Sequence, residues 1–412
     1  MRILLAFYPI DDMGGIINHN EQLCAGLIEL GHEVHTKIFL PRQDMPRNGV
    51  SGGRGTISPH TGLEFDQRRG YSFGKKDCVP YMGRAKVSAM EELKKHDLII
   101  WQIAVPTKRK ENRGNQDWVD LYYSGVQQLA VIHDGNFLNS YPWLEQVSHK
   151  IRGLICVHHC AYNSAKHIDI PSRLIPNPQE LHPVDLSREA WERRNKGFLS
   201  LQTFKAWKHV PELVAAIPHT GDISSHLAGK GIDYYYLTSK DKCKWPGVWN
   251  KALDAGMVYH DVITNRQRDE LLSTLTCLVD PSWSLKYSKI GGHFNRVVID
   301  GILCGAVPVV RPLGISTNSE GQGELFKAGL NCVAIPTGAT PEEYGAALTR
   351  ACLMPYEEYL HIMTNAVELL PQFDRVTVAE QVANFQPTQC GELSMQVEQD
   401  SISVFYHFFG DN

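Results

Sequence analysis

The chain has 412 residues, 43% hydrophobic and 21% charged, with 41 Lys/Arg against 45 Asp/Glu for a net charge of −4. That length exceeds one average domain and predicts two of roughly 200 residues each, while the composition supports a large core and excludes wholesale disorder. No run approaches the roughly 18 apolar residues of a membrane span. The apolar opening Met1–Phe7 is too short for a secretory signal, and the 10 cysteines lack a framework spacing, so reduced thiols and a cytoplasmic location are expected.

Arg2–Phe7 reads as a first buried strand. Gly14–Leu30 carries helical spacing through Ile17, Leu23, Leu27 and Leu30, Gly31 stops it, and Glu33–Phe39 reads as the next strand. From about Pro41 to Pro80 the pattern breaks into a long loop punctuated by Gly49, Gly52, Gly53, Gly55, Pro59, Gly62 and Gly70. Asp97–Ile103, Leu129–His133 and Gly153–Val157 are further short apolar runs with helical patterns between them. Strands alternating with helices predict parallel pairing in a doubly wound sheet. Ile175-Pro176-Asn177-Pro178 breaks the chain, and a second such series follows, with strands expected at Phe198–Gln202, Ile232–Leu237, Met257–Val262, Cys277–Asp280 and Val307–Val310. Helical patterns at Pro341–Met354, Glu357–Leu370 and Thr377–Phe385 close it. The expected organisation is an α/β chain of two Rossmann-like parallel-sheet domains with an intervening cleft. Their bounds are residues 1–183, with a basic insertion at about 41–80, and 184–386, followed by an extension over 387–412.

Between Arg42 and Arg113 there are 15 Lys/Arg against 8 Asp/Glu, clustered at Arg68-Arg69, Lys75-Lys76 and Lys108-Arg109-Lys110, with Arg113 just beyond. Such a tract suits a phosphate backbone, and equally a solvated insertion. Cys156-Val157-His158-His159-Cys160 has metal-ligand residues, but on a strand Cys156 and His158 face away from His159, so no metal is expected there.

Four segments carry candidate chemistry. Gly14-Gly15 opens a helix after the first strand, where backbone N–H groups and the helix dipole can meet a diphosphate. Phe204-Lys205-Ala206-Trp207-Lys208-His209 follows the first strand of the second series, where a cation can neutralise a leaving diphosphate; a surface lysine beside a core tryptophan is the plainer alternative. His133-Asp134 ends a parallel strand, which is where such sheets bind ligands. In the fourth, Val298–Val310, a helix bearing Asp300 runs into Gly305 and a buried strand opened by Pro308.

This last segment resembles the "EAxACGxPVV" stretch of GT-B glycosyltransferases of the retaining type. Gly31-His32-Glu33-Val34 and the Gly14-Gly15 pair are similar to theirs as well. Within that fold family, Ala206-Trp207-Lys208, Lys230–Tyr236, Val131–Asp134 and Arg188–Trp191 resemble phage DNA α-glucosyltransferases, in order along nearly the whole chain. The resemblance implies sugar transfer with retention from a UDP-sugar, with no cofactor required, to a hydroxylated or hydroxymethylated pyrimidine in double-stranded DNA. It further implies a monomer acting in the cytoplasm of a host cell if phage-encoded.

It assigns the donor phosphates and sugar to Gly14 and Gly15, and the acceptor hydroxyl to His133 and Asp134. Lys205 and Lys208, beside Trp207, would hold the diphosphate, Asp300 the ribose, and backbone near Val258 and Tyr259 the base. Arg68, Arg69, Lys75, Lys76, Lys108, Arg109, Lys110 and Arg113 would contact DNA. Two departures stand out. Thr203 occupies the place of an expected arginine, and Gly292, beside Gly291, that of a glutamate that contacts the transferred sugar, which leaves hexose and pentose both open; the two glycines could still wrap phosphates. A polysaccharide or small-molecule glycosyltransferase, and a non-catalytic nucleotide-sugar or DNA-binding protein, are the rival readings.

Overall fold

The computed structural model describes residues 1–7, 14–40, 56–57, 64–66, 70–72, 78–81, 84–103, 120–133, 142–157, 161–162, 165, 168–202, 208–229, 245–282, 296–311, 325–335 and 338–385. The first half runs β1 (Arg2–Phe7), α1 (Gly14–Glu29), β2 (Glu33–Leu40), then the short β3 (Thr56–Ile57), β4 (Glu64–Asp66) and β5 (Gly70–Ser72). It continues through β6 (Cys78–Pro80), α2 (Ala85–Leu93), β7 (Leu98–Ile103), β8 (Gln127–Ile132), β9 (Gly153–Cys156) and β10 (Ser172–Leu174). Seven of these strands form one parallel sheet in the order β10-β9-β8-β7-β1-β2-β6. Alternation along β1 explains its wholly apolar sequence: Ile3, Leu5 and Phe7 enter one core and Leu4 and Ala6 the other, so both faces are covered. The expected loop at 41–80 holds more structure than its composition suggests. β3, β4 and β5 pair antiparallel as a separate small sheet, and β6 joins the main one. Strands of two or three residues are too short to show a periodicity in sequence.

The second half is built from α3 (Arg188–Glu192), β11 (Asn195–Leu201), α4 (Val210–Ala216), β12 (Ser224–Ala228), α5 (Trp245–Asp254), β13 (Val258–Tyr259), α6 (Asn265–Thr274) and β14 (Leu275–Asp280). α7 (Arg296–Leu303), β15 (Val307–Val310), β16 (Val333–Ala334), α8 (Pro341–Cys352), α9 (Tyr356–Val367) and α10 (Arg375–Ala383) follow. Its six strands are again parallel, in the order β13-β12-β11-β14-β15-β16. Local signals agree with these bounds: Thr264 and Gln267 form a capping box on α6, and Thr340 and Glu343 another on α8, with Pro341 in its first turn. Gly305, at φ +74°, ends α7 in the left-handed conformation and turns the chain into β15.

Each sheet has one point where the strand order reverses, between β1 and β7 in the first and between β11 and β14 in the second. Crevices at the carboxyl ends beside such points are where open parallel sheets hold ligands. The halves are joined twice. The outgoing strand segment pairs at Gln179 with Asp374 of the returning one, through Gln179 N–H to Phe373 C=O (2.7 Å) and Arg375 N–H to Gln179 C=O (2.9 Å). α10 then packs on α1, and its Val378, Ala379 and Val382, with Phe385 just beyond, join the core that holds Ile3 and Leu5.

Candidate functional site

α1 starts at Gly14-Gly15, directly past the carboxyl end of β1, and no acidic side chain occupies its first turn. The N-terminal N–H groups and dipole of such a helix favour an anion at that end. Five residues on, His19 is buried against the linker, 1% exposed. Its Nδ1 lies 2.9 Å from Asn177 Oδ1, so Nδ1 carries the proton and Nε2 is left as a lone pair, buried and without a partner among the described residues. Burial lowers its pKa to about 4; the Asn177 bond opposes this, and the nearby charge of Arg296 adds to it. His19 is thus neutral near pH 7.

His133 stands one residue past β8 and meets His19 edge to face, with ring centroids 4.8 Å apart. Its Nε2 donates to Oε1 of Gln102 (2.9 Å), a buried residue near the end of the neighbouring β7. An amide oxygen can only accept, so the proton is fixed on Nε2 and Nδ1 is the basic nitrogen of His133. Gln102 Nε2 is itself buried without a partner among the described residues. Asp134, adjoining His133, lies outside the described residues.

From the second half, Asp300 sits in the middle of α7 and is 3% exposed. Its Oδ1 accepts from Gln179 Nε2 (2.9 Å) and its Oδ2 from Arg268 Nη1 (2.8 Å). Two residues of the linker therefore reach opposite ways, Asn177 to α1 and Gln179 to α7. Lys208, 8% exposed, is delivered after β11 just ahead of α4. Beside it His209 (φ +51°) bonds Glu212, which also pairs with Arg311 at 2.5 Å. Burial opposes ionisation of Glu212, yet His209 and Arg311 hold its carboxyl below the usual range. Tyr259, on β13, donates to Gly229 C=O (2.8 Å), the residue that follows β12. Lys205, Trp207, Gly291 and Gly292 lie outside the described residues.

The residues at the carboxyl edges thus include the expected His133, Gly14, Gly15, Lys208 and Asp300, together with His19, Gln102, Asn177, Arg268 and Arg296, which sequence reading passed over. His19 and Gln102 had one legible signal, polar residues interrupting an apolar helix face and an apolar strand. The basic clusters Arg68, Arg69, Lys75, Lys76, Lys108, Arg109, Lys110 and Arg113 fall outside the described residues. Of the same tract, Arg84, Lys86, Lys94 and Lys95 are described; Arg84 is exposed, and the three lysines pair with Asp120, Glu91 and Glu92. Cys156 is buried in β9 and burial pushes its thiol pKa up, while His158, His159 and Cys160 are not among the described residues. A separate open hollow of about 730 Å³ is lined by His182, Asp185, Arg193, Arg266 and Glu270. It lies at the amino ends of β11, β14 and β15, away from the crevices.

Two Rossmann-like halves with their carboxyl edges brought together define the GT-B arrangement, and this chain has that fold. Among solved structures it is similar to Anabaena HepE in complex with UDP and glucose, with a TM-score of 0.63 at 14% identity over 93% of this chain and 98% of that one. An α-glucosyltransferase in complex with UDP-glucose and DNA containing an abasic site gives 0.60 at 12% identity, over 93% and 98%. Sucrose-phosphate synthase from Thermosynechococcus elongatus gives 0.59 at 15%, over 97% and 100%. No family model matches the sequence, and no curated protein matches it.

Proposed function

We propose that the chain is a retaining glycosyltransferase that moves a sugar from a UDP-sugar to the hydroxyl of a hydroxylated or hydroxymethylated pyrimidine in DNA. The observation that carries the transferase reading is the His133 site: a histidine at the carboxyl end of a parallel strand, its tautomer held by Gln102 and its ring backed by a neutral His19. His133, with Asp134, would orient or deprotonate the acceptor hydroxyl. The N-terminus of α1 at Gly14 and Gly15 would face the donor phosphates. Lys208, joined by Lys205 beside Trp207, would stabilise the departing diphosphate as the anomeric C–O bond breaks and the new one forms on the same face. The backbone near Tyr259 would hold the base, and Gly291 and Gly292 would cradle phosphate. Asp300 would serve the ribose with the lone pairs that Gln179 and Arg268 leave over, since a carboxylate has about four acceptor positions.

The DNA acceptor is supported by the ordered resemblance and by the α-glucosyltransferase solved with DNA. A pyrimidine within a duplex would have to be flipped out to reach His133, at a cost of a few kcal/mol. One observation fits a solvated insertion instead of a phosphate footprint: Lys86, Lys94 and Lys95 of the basic tract are paired with carboxylates.

The deciding experiment incubates the protein with mixed UDP-sugars and three duplexes, carrying no modification, 5-hydroxymethylcytosine or 5-hydroxymethyluracil, and weighs the nucleosides. A hexose or pentose gain on one modified base is expected. UDP release without any gain would favour the glycan acceptor, and neither gain nor release would overturn the donor reading.

A further inference from the structure

α7 begins with Arg296 at the carboxyl edge of the second sheet. Arg296 Nε and Nη1 are shielded from solvent and make no hydrogen bond among the described residues. The carboxylate one helical turn along, Asp300, is its natural counterpart. Its two oxygens, however, accept from Gln179 and Arg268, and neither bonds Arg296. Burial accordingly holds the pKa of Arg296 below the usual arginine range, with Asp300 opposing and Arg268 adding to the effect. Across the junction, His19 has the complementary deficiency. Its Nδ1–H is committed to Asn177, and its Nε2 lone pair is buried and unanswered. The two side chains lie close enough for the charge of Arg296 to oppose protonation of His19. Shielded donors on one half and a shielded acceptor on the other therefore lie within electrostatic reach of each other. Buried polar groups left unsatisfied are costly and are characteristic of places where a ligand supplies the partner.

We propose that Arg296 and His19 form a clamp for the glycosyl diphosphate of the donor. Arg296 Nε and Nη1 take an anionic diphosphate oxygen, and His19 Nε2 accepts from a hydroxyl of the sugar. The clamp rests on the donor reading above. It adds a cation from α7 to the lysine delivered after β11, and a sugar contact from α1.

Calorimetric titration of the full chain with UDP and with UDP-glucose, alongside thermal melting without ligand, tests it. Arg296→Met is expected to weaken both ligands by about tenfold or more, the worth of a buried charge-assisted hydrogen bond. Its unliganded melting temperature should hold or rise, because two shielded donors without hydrogen-bond partners have been removed. His19→Phe should leave UDP affinity as it was and lower the affinity for UDP-glucose. Arg296→Lys, which keeps the charge and loses the fork, should fall between wild type and Arg296→Met. Wild-type protein that binds UDP, with Arg296→Met binding it equally, overturns the clamp and leaves the donor reading standing. A lowered melting temperature with UDP affinity retained assigns Arg296 a structural role and also overturns it. Wild-type protein that binds neither UDP nor UDP-glucose removes the donor reading and the clamp together.

Discussion

Gln102 acts through His133: its amide oxygen decides which imidazole nitrogen is basic. Leucine at this position would remove that acceptor together with the unpartnered Nε2 of Gln102 itself. Gln102→Leu is expected to melt near wild type while kcat falls about ten- to a hundredfold with donor KM unchanged, the usual span for a general base losing its orientation. Steady-state transfer kinetics check this. His19 sets an acid dependence of a different kind. Its pKa is depressed in the folded state, from 6.5 to about 4, so between those values the unfolded chain binds a proton that the folded chain does not. Stability is then full above pH 6.5 and declines as the pH falls toward 4. His226 and His260, hydrogen-bonded to each other at 2.8 Å, have pKa values lowered chiefly by burial and add in the same direction. Melting curves from pH 7.5 to 4.5 should show a shallower acid loss for His19→Phe than for wild type. At this scale the sequence was only partly legible. His133 announces itself by ending a strand, whereas the importance of His19, Gln102 and Arg296 comes from which neighbours are missing, and that appears only once the chain is packed.

At the scale of elements, Gly26 in α1 shows how closely two helices can be required to approach. A Cβ there would strike the carbonyl of Arg375 and the Ala379 side chain, both on α10. Even Gly26→Ala is expected to cost about 1–3 kcal/mol through overpacking, read as a lowered urea midpoint at constant m-value. Helix and strand positions were largely readable from periodicity, because β1, β7, β8, β14 and β15 are buried on both faces and carry continuous apolar runs. β12 escaped that reading: Ser224-Ser225-His226-Leu227-Ala228 is polar for a strand, and a strand was expected instead at Ile232–Leu237, outside the described residues. It is held by parallel pairing to β11 and β13 rather than by its own propensity. The amphipathic pattern of α10 marked a helix but could not say which sheet it would cover.

At the scale of the molecule, Arg375 pins the double crossing by reaching Glu29 at the end of α1 and Glu180 on the linker. Arg375→Ala is expected to leave each half folded but loosen their junction, visible as faster limited proteolysis around residues 176–180 with only about 1 kcal/mol lost, since the carboxylates are largely exposed. Removing residues 375–412 should be far more damaging. It uncovers the apolar surface that Val378, Ala379, Val382 and Phe385 occupy against Leu23, Leu27 and Ile155, and soluble yield is the measurement.

The return of α10 to the first sheet has a further consequence during synthesis. The second half is contiguous in the chain and can close its core as soon as it has left the ribosome. The first half, although made earlier, must wait with one side of its sheet only partly covered, by α1, until residues 375–385 emerge. The half translated first is therefore completed last, and a nascent chain stalled before α10 would expose a sticky face to chaperones.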